Sequence, residues 1–199
     1  MKIADIFTLI RIILAPVFLV IYFLPLWFGV GEVASVWILI PLIIFAEFTD
    51  FLDGYFARRN NQVSDFGKLF DPFADVLLHL TVFFCYTLSG YVSPFILLLF
   101  VYREFGMLFV RLLAAKKGVA IGARKGGKFK TVIYVVAGFF SLFLESARRL
   151  GFVLPESLMY VGYGFYILGL LASYISFIHT TNLSHKQLKK HYAQFPILF

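Results

Sequence analysis

The sequence predicts an all-α integral membrane protein with six transmembrane helices, on three observations. Hydrophobic residues make up 61% of the chain and charged residues only 15%, whereas a water-soluble domain is about a quarter charged. The apolar residues fall into six runs, each near the ~20 residues that a helix needs to cross the hydrocarbon layer. Lysine and arginine gather between the runs instead of spreading over a polar surface. The 199 residues suit a single domain, 1–199.

The six runs are 6–28, 33–57, 70–89, 93–115, 129–147 and 155–178. The first is expected to be retained rather than cleaved as a signal, because Asp5 and Arg11 interrupt it and no small-residue cleavage site follows. The stretch from Gly90 to Pro94 reads as a tight turn between the third and fourth runs. Gly, Pro and Glu punctuate 145–156, between the fifth and sixth. There is no sequence repeat and no low-complexity tract. The one cysteine, Cys85, lies inside an apolar run and has no second cysteine in the chain to pair with.

The net charge is +7, with basic clusters at Arg58 and Arg59, from 116 to 130, at Arg148 and Arg149, and from 186 to 190. On a soluble chain such clusters suggest nucleic-acid binding. Between apolar runs they read as loops at a membrane surface, and no nucleic-acid partner is expected. The 58–68 loop, the 116–130 loop and the C-terminal tail fall on one side. Of the opposite loops, 29–32 and 90–93 carry no Lys or Arg, and only the loop near 145–155 breaks the pattern. The expectation is a multi-pass protein of the cell (inner) membrane with both termini and the basic loops in the cytoplasm.

Carboxylates are the anomaly in these runs. The second ends Glu47-Phe-Thr-Asp50-Phe-Leu-Asp53-Gly54-Tyr-Phe-Ala57-Arg58, and the third opens Gly67-Lys-Leu-Phe-Asp71-Pro-Phe-Ala-Asp75. An intramembrane carboxylate is costly unless paired or metal-bound, and it marks function by default. Asp50 and Asp53 are three apart, and Asp71 and Asp75 four apart, so each pair shares one helix face. Two facing pairs put four carboxylates around one small volume, where like charges repel unless cations sit among them. Oxygen-only donors suit hard ions such as Mg²⁺ or Mn²⁺, and two such ions are a known solution for displacement at phosphorus. Gly54 and Ala57 leave room on the Asp50 face, and Arg58 can meet phosphate oxygens bidentately. Taken singly, these residues have blander readings. Asp71 before Pro72 has the pattern of a helix N-cap with proline at N1, and capping and metal binding are both open there. Asp50 or Asp53 can pair with Arg58 or Arg59, and Gly54 and Ala57 can be ordinary packing residues.

The pattern Asp50-x-x-Asp53-Gly54-x-x-Ala57-Arg58, followed by Gly67-x-x-x-Asp71-x-x-x-Asp75, resembles the signature of the CDP-alcohol phosphatidyltransferase family. The resemblance implies six transmembrane helices, a homodimer, and transfer of a phosphatidyl group from CDP-diacylglycerol to an alcohol with two divalent cations, Mg²⁺ or Mn²⁺. It assigns Asp50, Asp53, Asp71 and Asp75 to metal, with Asp75 also the catalytic base. It assigns Thr8, Asp50, Gly54, Ala57, Arg58 and Gly67 to the CDP-lipid. Thr8-Leu-Ile-Arg11 is similar to the family's opening Thr-x-x-Arg stretch, although Asp5 stands where asparagine is common. Asp71-Pro72-x-Ala74-Asp75, Arg103-Glu104, Arg111 and Gly127-Lys128-Phe-Lys130-Thr131 resemble the branch whose acceptor is glycerol 3-phosphate, with Val76 in place of that branch's usual lysine.

Arg103, Arg111, Lys128 and Lys130 are therefore the expected holders of a phosphate on a small phosphorylated acceptor. For the lysines the competing reading is the positive-inside rule, and for Arg103 with Glu104 a structural ion pair. Inositol phosphate, serine or another polar alcohol is the alternative acceptor. His79 is expected to be packed or hydrogen-bonded rather than a ligand. A rival of another class is a membrane ion carrier that uses the same carboxylates, but it has no need of Gly54, Ala57, Arg58 and Gly67 at these intervals.

Overall fold

The computed structural model describes residues 3–59, 65–116 and 125–194, with side chains described for 5–50, 52, 70–116 and 129–183. Six helices follow one another: α1 Ile3–Phe28, α2 Glu32–Arg59, α3 Asp65–Leu88, α4 Pro94–Lys116, α5 Lys125–Arg149 and α6 Ser157–Gln194. Each expected run falls on one helix to within two residues at its ends, and the helices run on past the runs mostly at one end of the bundle. The apolar runs mark only the stretch a bilayer would surround, whereas helical hydrogen bonding carries on into polar sequence.

The turns at the other end are short because glycine closes them. At the end of α3, Gly90 has φ +85°, and the N–H groups of Gly90 and Tyr91 bond back to Thr87 and Tyr86. Gly151, at φ +84°, repeats the arrangement after α5. This left-handed cap satisfies the last carbonyls of a helix and costs a residue without Cβ least. The tight turn expected at 90–94 is present.

α1 packs chiefly on α2 and α3, and α6 on α5 and α4, while α3 touches α4 and α5 and α2 touches α5. Phe83, Phe100, Tyr134 and Tyr166 meet where α3, α4, α5 and α6 converge, with Phe83 5.0 Å from Tyr166 and Phe100 5.0 Å from Tyr134, ring centre to ring centre. Edge-to-face packing at these separations adds to the area buried. The outer surface is apolar too: Ile13, Trp37, Phe105, Phe109, Leu168 and Ile175 are all more than half exposed. That surface suits lipid, which needs no polar cover.

Among the described residues, five helices are long and apolar enough to cross a membrane, over Asp5–Phe28, Glu32–Asp50, Phe70–Leu88, Phe129–Arg149 and Ser157–Leu183. α4 is the sixth expected span, and it differs because Arg103, Glu104 and Arg111 fall within it. Arg103 and Glu104 are each only 4% exposed, turned into the bundle and away from the lipid-facing surface.

Two local expectations are corrected. Asp71 does not cap a helix, because α3 starts at Asp65 and Pro72 sits inside it. Arg148 and Arg149 do not lie in a loop, because α5 runs through them. Glu145, at 1% exposure, explains the second case. It accepts from Arg148 (2.7 and 3.0 Å), from Arg149 (2.6 Å) and from the Tyr91 hydroxyl (2.9 Å). Arg149 also donates to Ser35 of α2 and the Tyr22 carbonyl of α1, and lies 4.6 Å from the centre of the Tyr22 ring. Burial and the Glu145 carboxylate push the Tyr91 hydroxyl up to about 12, so it remains a donor.

Candidate active site

The site is built at the opposite end of the bundle from Glu145, where the start of α1 meets the end of α2 and the start of α3. Thr8 and Arg11 are three apart on α1 and share a face; both are fully buried. Thr8 donates to Asp71 of α3. Nη1 of Arg11 donates both to Asp50 of α2 and to Asp75 of α3. Two carboxylates on one guanidinium nitrogen bring α2 and α3 together over α1. The side chains of Asp50 and Asp75 remain 43% and 41% exposed, so they are open to a ligand.

Charge decides what this end can hold. Asp50, Asp71 and Asp75 bring three negative charges and Arg11 returns one. The donors are all oxygen, which fits a hard divalent cation. Among the described residues, no three His, Cys, Asp or Glu side chains gather closely enough to hold an ion by themselves. The expected fourth carboxylate, Asp53, has its side chain outside the described residues, as do Gly54, Ala57, Arg58 and Gly67.

One helical turn further along α2 and α3, Glu47 and His79 form a second layer. His79 Nδ1 lies 2.8 Å from the Asp75 carbonyl, and Nε2 lies 3.5 Å from Glu47. His79 is thus packed and hydrogen-bonded, as expected. Together they line a narrow cleft between α2, α3 and α5.

A family model described as CDP-alcohol phosphatidyltransferase matches residues 1–174, a stretch that holds all of these side chains. The chain belongs to the CDP-alcohol phosphatidyltransferase family. It is 40% identical over 153 residues to the CDP-diacylglycerol–glycerol-3-phosphate 3-phosphatidyltransferase of Treponema pallidum, covering 73% of this chain and 70% of the relative. It is 35% identical over 136 residues to the Bacillus subtilis protein of the same name, covering 65% and 70%.

A second cluster of this phosphatidyltransferase lies on α4, α5 and α6. Arg103 donates to Glu104 (2.7 Å) and to the Ser173 carbonyl (2.9 Å). Lys130 and Tyr134 each donate to the other oxygen of Glu104 at 2.8 Å. Arg111 is half-buried, and its Nε has no hydrogen-bond partner among the described residues. His79, bonded to the Asp75 carbonyl, has its ring centre 5.8 Å from that of Tyr134, so the two clusters are neighbours. Of the four expected acceptor residues, Arg103 and Lys130 meet at Glu104 and Arg111 lies beside them. The Lys128 side chain lies outside the described residues.

Sequence reasoning noted Arg11 but gave it no role in the site, although the signal was there: a full charge in an apolar run is itself a functional marker. Glu104 was read only as a partner of Arg103, because adjacency in sequence hid its contacts to α5.

Proposed function

We propose that this chain, as one domain over 1–199, transfers the phosphatidyl group of CDP-diacylglycerol to glycerol 3-phosphate, releasing CMP and phosphatidylglycerophosphate. It is a phosphatidyltransferase by family; the acceptor is the new element. The observation that carries the acceptor is a basic cluster, Arg103, Arg111 and Lys130, beside the carboxylate site. The names of the Treponema and Bacillus relatives support the same acceptor. The reading extends to a homodimer in the cell (inner) membrane, with α4 spanning alongside the other five helices. Both termini and the site then face the cytoplasm, which the basic loops favour.

Asp50, Asp53, Asp71 and Asp75 would hold two divalent cations, Mg²⁺ or Mn²⁺, which would supply positive charge against the donor pyrophosphate. Thr8, Gly54, Ala57, Arg58 and Gly67 receive the CDP-lipid. Thr8 and Arg11 orient the carboxylates from behind. Asp75 takes the proton of the acceptor hydroxyl, which is a weak nucleophile near neutral pH. The oxygen then attacks the phosphorus bearing diacylglycerol, and CMP departs. Arg103, Arg111, Lys128 and Lys130 hold the acceptor phosphate by charge-assisted hydrogen bonds.

The test is CMP release by purified protein with CDP-diacylglycerol and Mg²⁺ or Mn²⁺, comparing glycerol 3-phosphate, inositol phosphate, free glycerol and serine. Glycerol 3-phosphate is expected to be used best. Best use of serine or free glycerol would overturn the acceptor and leave the family chemistry intact.

A further inference from the structure

Glu104 is a buried carboxylate in the middle of the cations assigned to the acceptor phosphate. A negative charge there opposes an anionic ligand, so its presence needs a reason. The geometry supplies one. Its two oxygens collect donors from different helices: Lys130 and Tyr134 of α5 on Oε1, Arg103 of α4 on Oε2. Arg103 in turn reaches α6 through the Ser173 carbonyl. Lys130 also lies 4.7 Å from the Tyr134 ring centre.

We propose that Glu104 is a positioning residue that sets both the geometry and the net charge of the acceptor-phosphate site. This rests on the acceptor reading above. Without Glu104, Arg103, Arg111 and Lys130 repel one another, and the flexible Lys130 stem swings toward water. With it, Arg103, Arg111 and Lys130 together carry +2 instead of +3, before Lys128 is counted, which eases their repulsion while keeping the site attractive to a phosphate monoester. An ammonium has three N–H donors and a guanidinium five, so binding Glu104 does not exhaust either cation. Cations fixed before the ligand arrives avoid the ordering cost of recruiting them on binding.

Glu104→Gln isolates the effect because it keeps the shape and removes the charge. An amide has one acceptor oxygen and one donor nitrogen. The less costly orientation keeps the oxygen on the two donors Lys130 and Tyr134, and turns NH₂ toward Arg103. Arg103 then loses its carboxylate acceptor and keeps the Ser173 carbonyl, while the α5 contacts persist.

The experiment measures initial rates of E104Q against glycerol 3-phosphate and CDP-diacylglycerol separately, with inorganic phosphate as a competitive inhibitor of the acceptor. The expected result is an acceptor KM raised about tenfold and a phosphate Ki raised in parallel. Donor KM should stay within about twofold and kcat within about threefold. Equal losses in both KM values and kcat, or no change in acceptor KM, overturns the proposal. If E104Q does not fold, Glu104→Asp decides: it keeps the charge but shortens the reach, and acceptor KM should rise about threefold at constant donor KM. An unchanged or non-selective E104D overturns the proposal equally. Arg111→Ala separates this idea from the reading beneath it. An R111A effect on acceptor KM without an E104Q effect removes only the role of Glu104, whereas no effect of R111A removes the phosphate site itself.

Discussion

Arg11 on α1 donates through Nη1 to Asp75 on α3, and the same nitrogen serves Asp50 on α2. The guanidinium is fully buried while both carboxylates are partly open. Arg11 is thus a fixed internal counter-charge beneath a pair of acids whose outer sides face a ligand. Arg11→Ala removes it, leaving two carboxylates to repel each other and a void in the α1 packing. CMP release should fall at least about 10²-fold, the scale of losing an organised catalytic acid–base group. Arg11→Lys keeps the charge without the guanidinium fork and should retain more activity than alanine. Equal activity of all three proteins would remove Arg11 from the site.

The four aspartates carry the next expectation. Asp53→Ala or Asp71→Ala should abolish CMP release and binding of Mn²⁺, while the protein still inserts into membranes. Near-normal turnover in either variant would overturn the two-metal reading. The Asp71 variant also loses the bond from the Thr8 hydroxyl, so Thr8→Val should give a smaller loss in the same direction.

Asp75→Asn separates base from ligand. The amide is isosteric and can still accept from Arg11, so binding of CDP-diacylglycerol should largely persist. Turnover should fall by about 10²-fold or more, as for loss of a general base. If donor binding vanishes and added metal restores turnover, Asp75 acts as a ligand and not as the base.

At the far end of the bundle, Glu145→Ala should affect stability rather than chemistry. It leaves Arg149, 8% exposed, without its carboxylate. Removing one partner of a buried ion pair costs about 3–5 kcal/mol. At about 2–4 °C per kcal/mol for a chain of this size, the thermal midpoint should drop by about 6–20 °C. Both KM values should stay within about twofold. A midpoint unchanged within a degree or two would mean that Arg148, Arg149 and Tyr91 do not depend on Glu145.

Helix number and the gathering of Asp50, Asp71 and Asp75 at one end of the bundle were legible because each rests on a local pattern: run length for the helices, and carboxylates at the facing ends of two neighbouring apolar runs. The start of α3 was not, because Asp71-Pro72 satisfies the local rule for a helix start while the chain is already helical from Asp65. Arg148 and Arg149 read as loop charges because Glu145, which pairs with both from three and four positions back, itself reads as polar punctuation at the end of an apolar run. Arg11 and Glu104 were undervalued for a shared reason. Each acts through partners on other helices, at separations of 39 and 64 residues for Arg11 and 26 and 30 for Glu104, and one sequence carries no sign of which distant residues meet.

Arg111 gives the sharpest test of the acceptor. It lies on α4, seven positions beyond Glu104 and so on the same face, and its buried Nε has no partner among the described residues. An unsatisfied buried donor is costly, which suits a group that waits for an anionic ligand. Arg103 and Lys130 already have Glu104, so Arg111 has the least structural employment of the three. A charge-assisted hydrogen bond contributes about 1.5–3 kcal/mol, and about 1.4 kcal/mol is a tenfold change. Arg111→Ala should therefore raise the KM for glycerol 3-phosphate about tenfold or more, and change the KM for CDP-diacylglycerol much less. Free glycerol, which has no phosphate to lose, should be used as poorly by the variant as by the parent. If R111A leaves the glycerol 3-phosphate KM unchanged, the phosphate is not held on α4, whatever the reaction at Asp75.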